Sequence, residues 1–189
     1  METFLVTLYK KRYSLFGCAL VLPVLLLAAT RFRIAATDAQ IKETLNALRG
    51  LFDEFAKKGV KLEIDSSYRS IETQQHLWDW DLEHRGEEYT RLYVAHPGFS
   101  EHHTGLAVDI FVDKDGKRVY RDKDGNSFFS SMIHPRLASY GFILRYPEGK
   151  EDITGYGYEP WHIRYVGSAE LAAEIYEKGL TLEEYLADK

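Results

Sequence analysis

The sequence predicts an α+β domain in which helices and short strands are loosely segregated along the chain. Three observations carry this. From Asp38 onward Ile41, Leu45, Leu48, Phe52 and Phe55 recur at helical spacing. The segments Lys61 to Ser66 and Trp161 to Val166 alternate and read as strands. Ser70, Ser168 and Thr181 stand where helices would start. At 189 residues the chain has the length for one domain with a real core.

Taken in order, residues 31 to 37 read as a short linker, and the first helix runs from Asp38 to a stop at Gly59. In the strand Lys61 to Ser66, Leu62 and Ile64 face inward. Ser70 caps a second helix through about Glu83, which puts Arg69 where a strand hands over to a helix. Glu83 to Phe99 is polar, ends in His96-Pro97-Gly98 and reads as a loop. Leu106 to Val112 is a buried strand with Asp109 in its middle. A charge inside an apolar strand is costly unless it is paired or bound to metal, which marks Asp109 as a ligand.

Asp113-Lys-Asp-Gly116 and Asp122-Lys-Asp-Gly125 are near-repeats. They lack the acidic spacing and distal Glu of a calcium loop, and read as Asp-Gly turns around a short strand at 117 to 121. A helix near Ser131 to Tyr140, a strand at Phe142 to Tyr146 and the strand Trp161 to Val166 follow. Ser168 caps a helix ending at Gly179, and Thr181 with Glu184 forms a capping box for a last short helix. No domain-scale repeat is present.

A net charge of -5 without a basic stripe excludes nucleic acid as a partner. The single cysteine, Cys18, excludes an intramolecular disulfide and a thiolate zinc cluster, so any metal site must use His and carboxylate. Lys10, Lys11 and Arg12 precede an apolar run from Leu15 to Ala29, the pattern of a secretory signal or signal anchor. The run is near the lower limit for spanning a bilayer, Pro23 is tolerable there, and no Ala-x-Ala site follows. An uncleaved anchor with a cytoplasmic N-terminus is expected, although Arg31 and Arg33 weaken the charge asymmetry; a cleaved signal is the alternative. Leu15-Phe-Gly-Cys18 does not serve as a lipoprotein box, because Cys18 opens the apolar run instead of following it. Residues 1–37 thus read as cytoplasmic tip, anchor or signal segment and short linker, and 38–189 as the globular domain.

The chemistry lies in Ser100-Glu-His-His-Thr-Gly-Leu-Ala-Val-Asp109 and in Glu159-Pro-Trp-His162, fifty residues further on. Two imidazoles, a ligand carboxylate and a spare carboxylate are the kit for a catalytic zinc with three protein ligands and an open position. The spare carboxylate, Glu159, is the candidate general base, with an ion pair to Arg164 as the alternative. Chemistry alone does not choose between His102 and His103. Arg69 is suited to an oxyanion or a terminal carboxylate, and Gln74 is placed to point into the same groove. Ser100 reads as a substrate contact or a cap, Trp161 as pocket wall or core. His76, His84, His96 and His134 have no partner spacing.

Ser100, His102, Gly105, Ala107 and Asp109, with Glu159, Trp161 and His162, resemble the zinc motifs of VanY-like D-alanyl-D-alanine carboxypeptidases. Ser67-Tyr68-Arg69-Ser70 with Gln74 resembles the Tyr-Arg-Ser motif of that family, and 141–147 and 153–167 are similar too. The resemblance covers roughly residues 38 to 189. It implies a hedgehog/DD-peptidase-like zinc peptidase fold, a small antiparallel sheet with flanking helices. It implies one Zn2+ per chain on His102, Asp109 and His162, with His103 left facing the groove or solvent. Glu159 would be general base, Arg69 would stabilise the oxyanion, and Ser100, Gln74, Tyr68 and Trp161 would contact substrate. The implied activity is removal of D-Ala from peptidoglycan stem peptides ending in D-Ala-D-Ala or in an L-residue and D-Ala. The expected partners are those peptides and, through the N-terminal segment, the membrane; a monomer is expected. The alternatives are an endopeptidase on the same scaffold and a non-catalytic, zinc-containing wall-binding module.

Overall fold

The computed structural model describes residues 35–120 and 128–188. Helix α1 (Asp38–Lys57) opens with a capping box between Thr37 and Gln40. Its buried stripe is Thr44, Leu48, Leu51 and Phe55. Leu45, expected in that stripe, is exposed because it sits one residue, about 100°, round the helix from Thr44. Gly59, at φ +76°, turns the chain into β1 (Lys61–Ser66), which buries Leu62. Ile64 instead stands 44% exposed. The pairing register breaks between Ile64 and Ser66, a bulge that bends the strand end.

Ser70 Oγ accepts the Thr73 N–H and starts α2 (Ile71–Arg85). The stretch expected as a loop contains a further helix, α3 (Glu87–Tyr93). An Arg91–Glu87 pair at 2.7 Å and a fully buried Thr90, its hydroxyl donating to the Gly86 carbonyl, support it. Glu, Arg and Leu favour this helix, but seven residues are too few to hold it by propensity alone, so burial decides.

β2 (Ala107–Lys114) is the central strand. It pairs antiparallel with β1, with β3 (Lys117–Val119) and with β5 (His162–Tyr165). β4 (Phe142–Leu144) pairs with the other side of β5, giving the order β1-β2-β5-β4. Between β2 and β3, Asp115 and Gly116 both have positive φ, the Asp-Gly hairpin turn the sequence predicts. The second Asp-Gly repeat, 122–125, lies outside the described residues. A helical stretch from Phe129 to Tyr140, with α4 (His134–Leu137) inside it, ends at Gly141. The short helix α5 (Glu151–Thr154) precedes β5. Ser168 caps α6 (Ala169–Glu177), and the Thr181–Glu184 capping box opens α7 (Leu182–Ala187), both as read from sequence.

Side chains alternate across β2. Val108 and Ile110 enter the core with Leu51, Phe55 and Ile163, while Ala107, Asp109 and Phe111 take the opposite face. One sheet face therefore builds the core and the other is free to carry chemistry. Among the described residues no helix is long and apolar enough to cross a membrane. The expected anchor or signal segment, with Cys18, lies outside them.

Candidate active site

Asp109 and His162 are direct cross-strand partners of β2 and β5, on the face away from the core. A 3₁₀ turn, Glu101–Thr104, brings His102 to the same spot; Ser100 Oγ accepts the His102 N–H, and Gly105 ends the turn at φ +76°. His102 Nε2 lies 3.2 Å from Asp109 Oδ2, and His162 Nδ1 lies 2.9 Å from Asp109 Oδ1. The three residues are buried and offer donor atoms all within 4.8 Å of one another. Tetrahedral zinc with bonds of about 2.0–2.1 Å spaces its ligands about 3.3 Å apart, so the set fits. Asp109 Oδ1 has no hydrogen-bond partner despite its closeness to His162, as expected of two groups aimed at a common centre.

The far nitrogen of His102 is hydrogen-bonded, and that of His162 has an ion-pair contact without a hydrogen bond. His102 Nδ1–H donates to the Ser67 carbonyl at 2.7 Å, and His162 Nε2 faces Glu101 Oε2 at 3.6 Å. Burial pushes the His102 imidazole down, keeping it neutral as a ligand must be. Burial also works against a charged His162, but Asp109, Glu101 and Glu159 around it lift it to about 10. The surroundings of His162 thus recruit positive charge, which a divalent cation also supplies. For Asp109, burial opposes ionisation, yet the two histidines hold its carboxyl far below the usual range.

Glu159 Oε2 lies 3.7 Å from His162 Nδ1, and burial pushes its carboxyl up to about 8 against the pull of that imidazole. The loop carrying Glu159 is fixed from both sides. Its N–H donates to the Tyr146 carbonyl, and the buried His134 donates from Nε2 to the Pro160 carbonyl at 2.9 Å. Arg164, the alternative partner for Glu159, instead approaches Glu101 at 3.6 Å.

Arg69 projects its guanidinium to 3.7 Å from Asp109. Ser66 Oγ accepts from Nη2 at 2.8 Å and Gln74 Oε1 from Nη1 at 2.9 Å. Gln74 is not free for substrate, because it is fully buried and its Nε2 donates to the Ala95 carbonyl. Its work is to position Arg69. Tyr68 is 67% exposed and lies outside the cavity. Successive side chains of this extended stretch point opposite ways, so Arg69 turns in and Tyr68 out. His103, expected to face groove or solvent, is half-buried outside the cavity lining with both ring nitrogens bonded. Its Nδ1–H donates to the Arg69 carbonyl at 2.6 Å, and its Nε2 accepts the Gly98 N–H at 3.2 Å. Ser100 is both a cap and a cavity wall; Trp161 both lines the cavity and packs on the core.

Sequence pattern misses a second tier. Glu101 accepts from Arg145 Nε at 2.6 Å, and Arg145 reaches Glu183 on α7 with two further N–H groups. Burial opposes a charged Glu101, but Arg145 and Arg164 hold its carboxyl far below the usual range. The only prior signal was a third acid beside the His-His pair.

The cavity over this centre has a volume of about 360 Å³. Two buried imidazoles and an aspartate around a metal-sized gap, with a free acid and an arginine beside them, define a metallopeptidase-type centre on an α+β scaffold. Residues 38–168 match the family model VanY, D-alanyl-D-alanine carboxypeptidase, and the chain belongs to that family. It is 44% identical over 151 residues to a D-alanyl-D-alanine carboxypeptidase of Enterococcus faecalis, covering 74% of this chain and 52% of the relative. It is 43% identical over 144 residues to YodJ of Bacillus subtilis, covering 76% of this chain and 52% of the relative. The chain spans about half the length of these curated relatives. The crystal structure of a vancomycin-resistance D,D-pentapeptidase VanY, solved with Zn(II), is 39% identical with a TM-score of 0.65, over 76% of this chain and 81% of that one. The zinc peptidase fold implied by the motifs is therefore the fold observed.

Proposed function

We propose that this chain is a zinc carboxypeptidase that removes a C-terminal D-amino acid, D-Ala, from peptidoglycan stem peptides. The observation that carries it is Glu159, a buried acid 3.7 Å from a ligand nitrogen that the three-residue donor set does not need. A wall-binding module with a structural zinc would have no use for Glu159 or for Arg69.

His102, Asp109 and His162 would hold the zinc, which supplies an acidified water and a polarised carbonyl. Glu159 accepts the proton of the attacking water and passes it to the leaving amine. Its position beside His162 keeps it within one transfer of the reacting centre. Arg69, braced by Ser66 and Gln74, donates to the carbonyl oxygen as charge develops there. The charged-then-apolar pattern of residues 10–29 supports an extracytoplasmic domain on an N-terminal anchor.

The zinc-loaded protein should release single D-Ala from a free stem pentapeptide, seen by mass spectrometry. It should spare the same peptide with an amidated C-terminus, because an exopeptidase uses the terminal carboxylate as binding energy. Equal cleavage of both, or a product larger than one amino acid, would assign the site to an endopeptidase.

A further inference from the structure

Glu159 and His162 are the two ends of one β-turn. The His162 N–H donates to the Glu159 carbonyl at 3.1 Å, with Pro160 and Trp161 between them. Each carbonyl of this turn has a donor. Those of Glu159, Trp161 and His162 take the backbone N–H groups of His162, Ile110 and Arg145. The Pro160 carbonyl instead takes a side chain, the Nε2–H of His134 at 2.9 Å. That bond depends on residue type, whereas the backbone donors do not.

The fold delivers His134 to this contact by an unusual route. The helical stretch before β4 is wound as a π-turn over Phe129–Ile133, and the His134 N–H reaches back to the Phe129 carbonyl. Pro135 follows and has no N–H to give. π-turns of this kind concentrate at functional sites. Phe129 and Ile133 are fully buried and anchor the turn in the core. The imidazole is buried too, its ring 6.1 Å from that of Phe129 between centroids. Burial pushes it toward the neutral form against the pull of the carbonyl. A neutral imidazole carries one N–H, and the Pro160 carbonyl requires it on Nε2.

We propose that His134 is a positioning residue for the general base, clamping the middle of the turn so that the Glu159 carboxylate stays beside the metal centre. This rests on the carboxypeptidase reading of the site. The two ends of the turn are not held alike. His162 is locked into β5 by its pairing with Asp109 of β2. Glu159 lies outside the strand, so slack in the turn falls on the base and not on the ligand. Without the His134 N–H, the Pro160 carbonyl loses its donor in a buried place, a cost that the turn relieves by shifting.

The test compares the zinc-loaded wild type with His134→Leu and His134→Gln, reading D-Ala release from a stem pentapeptide. Leu fills the space without a donor; Gln carries an N–H near the position of Nε2. His134→Leu should keep its zinc and its KM and lose about 10–10²-fold in kcat, the scale of a small misplacement at a reacting centre. His134→Gln should recover most of that loss. In a Glu159→Gln background His134→Leu should change kcat little, because the base that it positions is already gone. Should the Leu variant fail to fold, His134→Asn, whose amide stops short of the carbonyl, takes its place. Unchanged kcat in His134→Leu, loss of zinc in step with activity, or a full further loss on top of Glu159→Gln overturns the positioning role and leaves the carboxypeptidase reading in place. No D-Ala from the zinc-loaded wild type overturns both.

Discussion

His162 Nε2 and Glu101 Oε2 stand 3.6 Å apart, on the opposite edge of the imidazole from Asp109. Glu101 is held by Arg145, and Arg145 by Glu183 of α7, so the C-terminal helix is tied to a metal-facing ring through three buried charges. Outer carboxylates of this kind orient ligand imidazoles and raise their basicity. Glu101→Gln should lower zinc affinity by about 10–100-fold, measured by competition with a chelator. Arg145→Met would leave two carboxylates buried without their partner, and should cost about 3–5 kcal/mol in urea unfolding. Unchanged zinc affinity in Glu101→Gln would remove the orienting role.

The adjacent histidines divide two tasks. The His102 backbone carbonyl accepts the Arg69 N–H, its ring faces Asp109, and the His103 ring takes the Arg69 carbonyl. His102→Ala should therefore lose zinc. His103→Ala should keep it, yet lose kcat by roughly 10–10²-fold as Arg69 shifts from its productive place. Zinc content by atomic absorption, set beside kcat, separates the two; zinc loss in His103→Ala with retention in His102→Ala would reverse the assignment.

Glu159→Gln should separate binding from chemistry. Gln is isosteric and leaves the Tyr146 and Pro160 contacts of the loop in place. The variant should fold, hold one zinc and lose turnover by about 10²–10⁴-fold, the range for a lost general base. Near-normal hydrolysis would reject Glu159 as the base.

Whatever depends on local signals is legible in the sequence. Ser70, Ser168 and the Thr181–Glu184 box start helices where they were expected, and His102, Asp109 and His162 converge as the family resemblance implies. The losses are of two kinds. α3 escapes because it is only seven residues long, held by a buried Thr90 and packing that no local period reports. The roles of His103, Glu101 and Arg145 escape because each acts through a hydrogen bond to a residue distant in sequence. His103 reaches back 34 residues to Arg69, and Arg145 reaches 44 back to Glu101. Residue type shows what a side chain can do; the sheet register and the strand-to-helix turn decide what it meets.

Acid should act on the fold through Glu54. Lys58 at 2.6 Å and Arg136 at 2.9 Å, with the Tyr140 hydroxyl, hold its carboxyl down at about 2. The group joins α1 to the helical stretch before β4, so its ionisation is linked to folding. Because the folded value lies below the unfolded one, its contribution is fully present above about pH 4.5 and is lost as pH falls toward 2. Glu54→Gln removes the charge at every pH. Urea unfolding of both proteins should show the wild type more stable at pH 6, with the gap narrowing below pH 4.5 and closing near pH 2. Added salt should shrink the gap at pH 6, since the pair lies near the surface. A gap that stays constant from pH 6 to pH 2 would mean that Glu54 stabilises the fold by packing and not by charge.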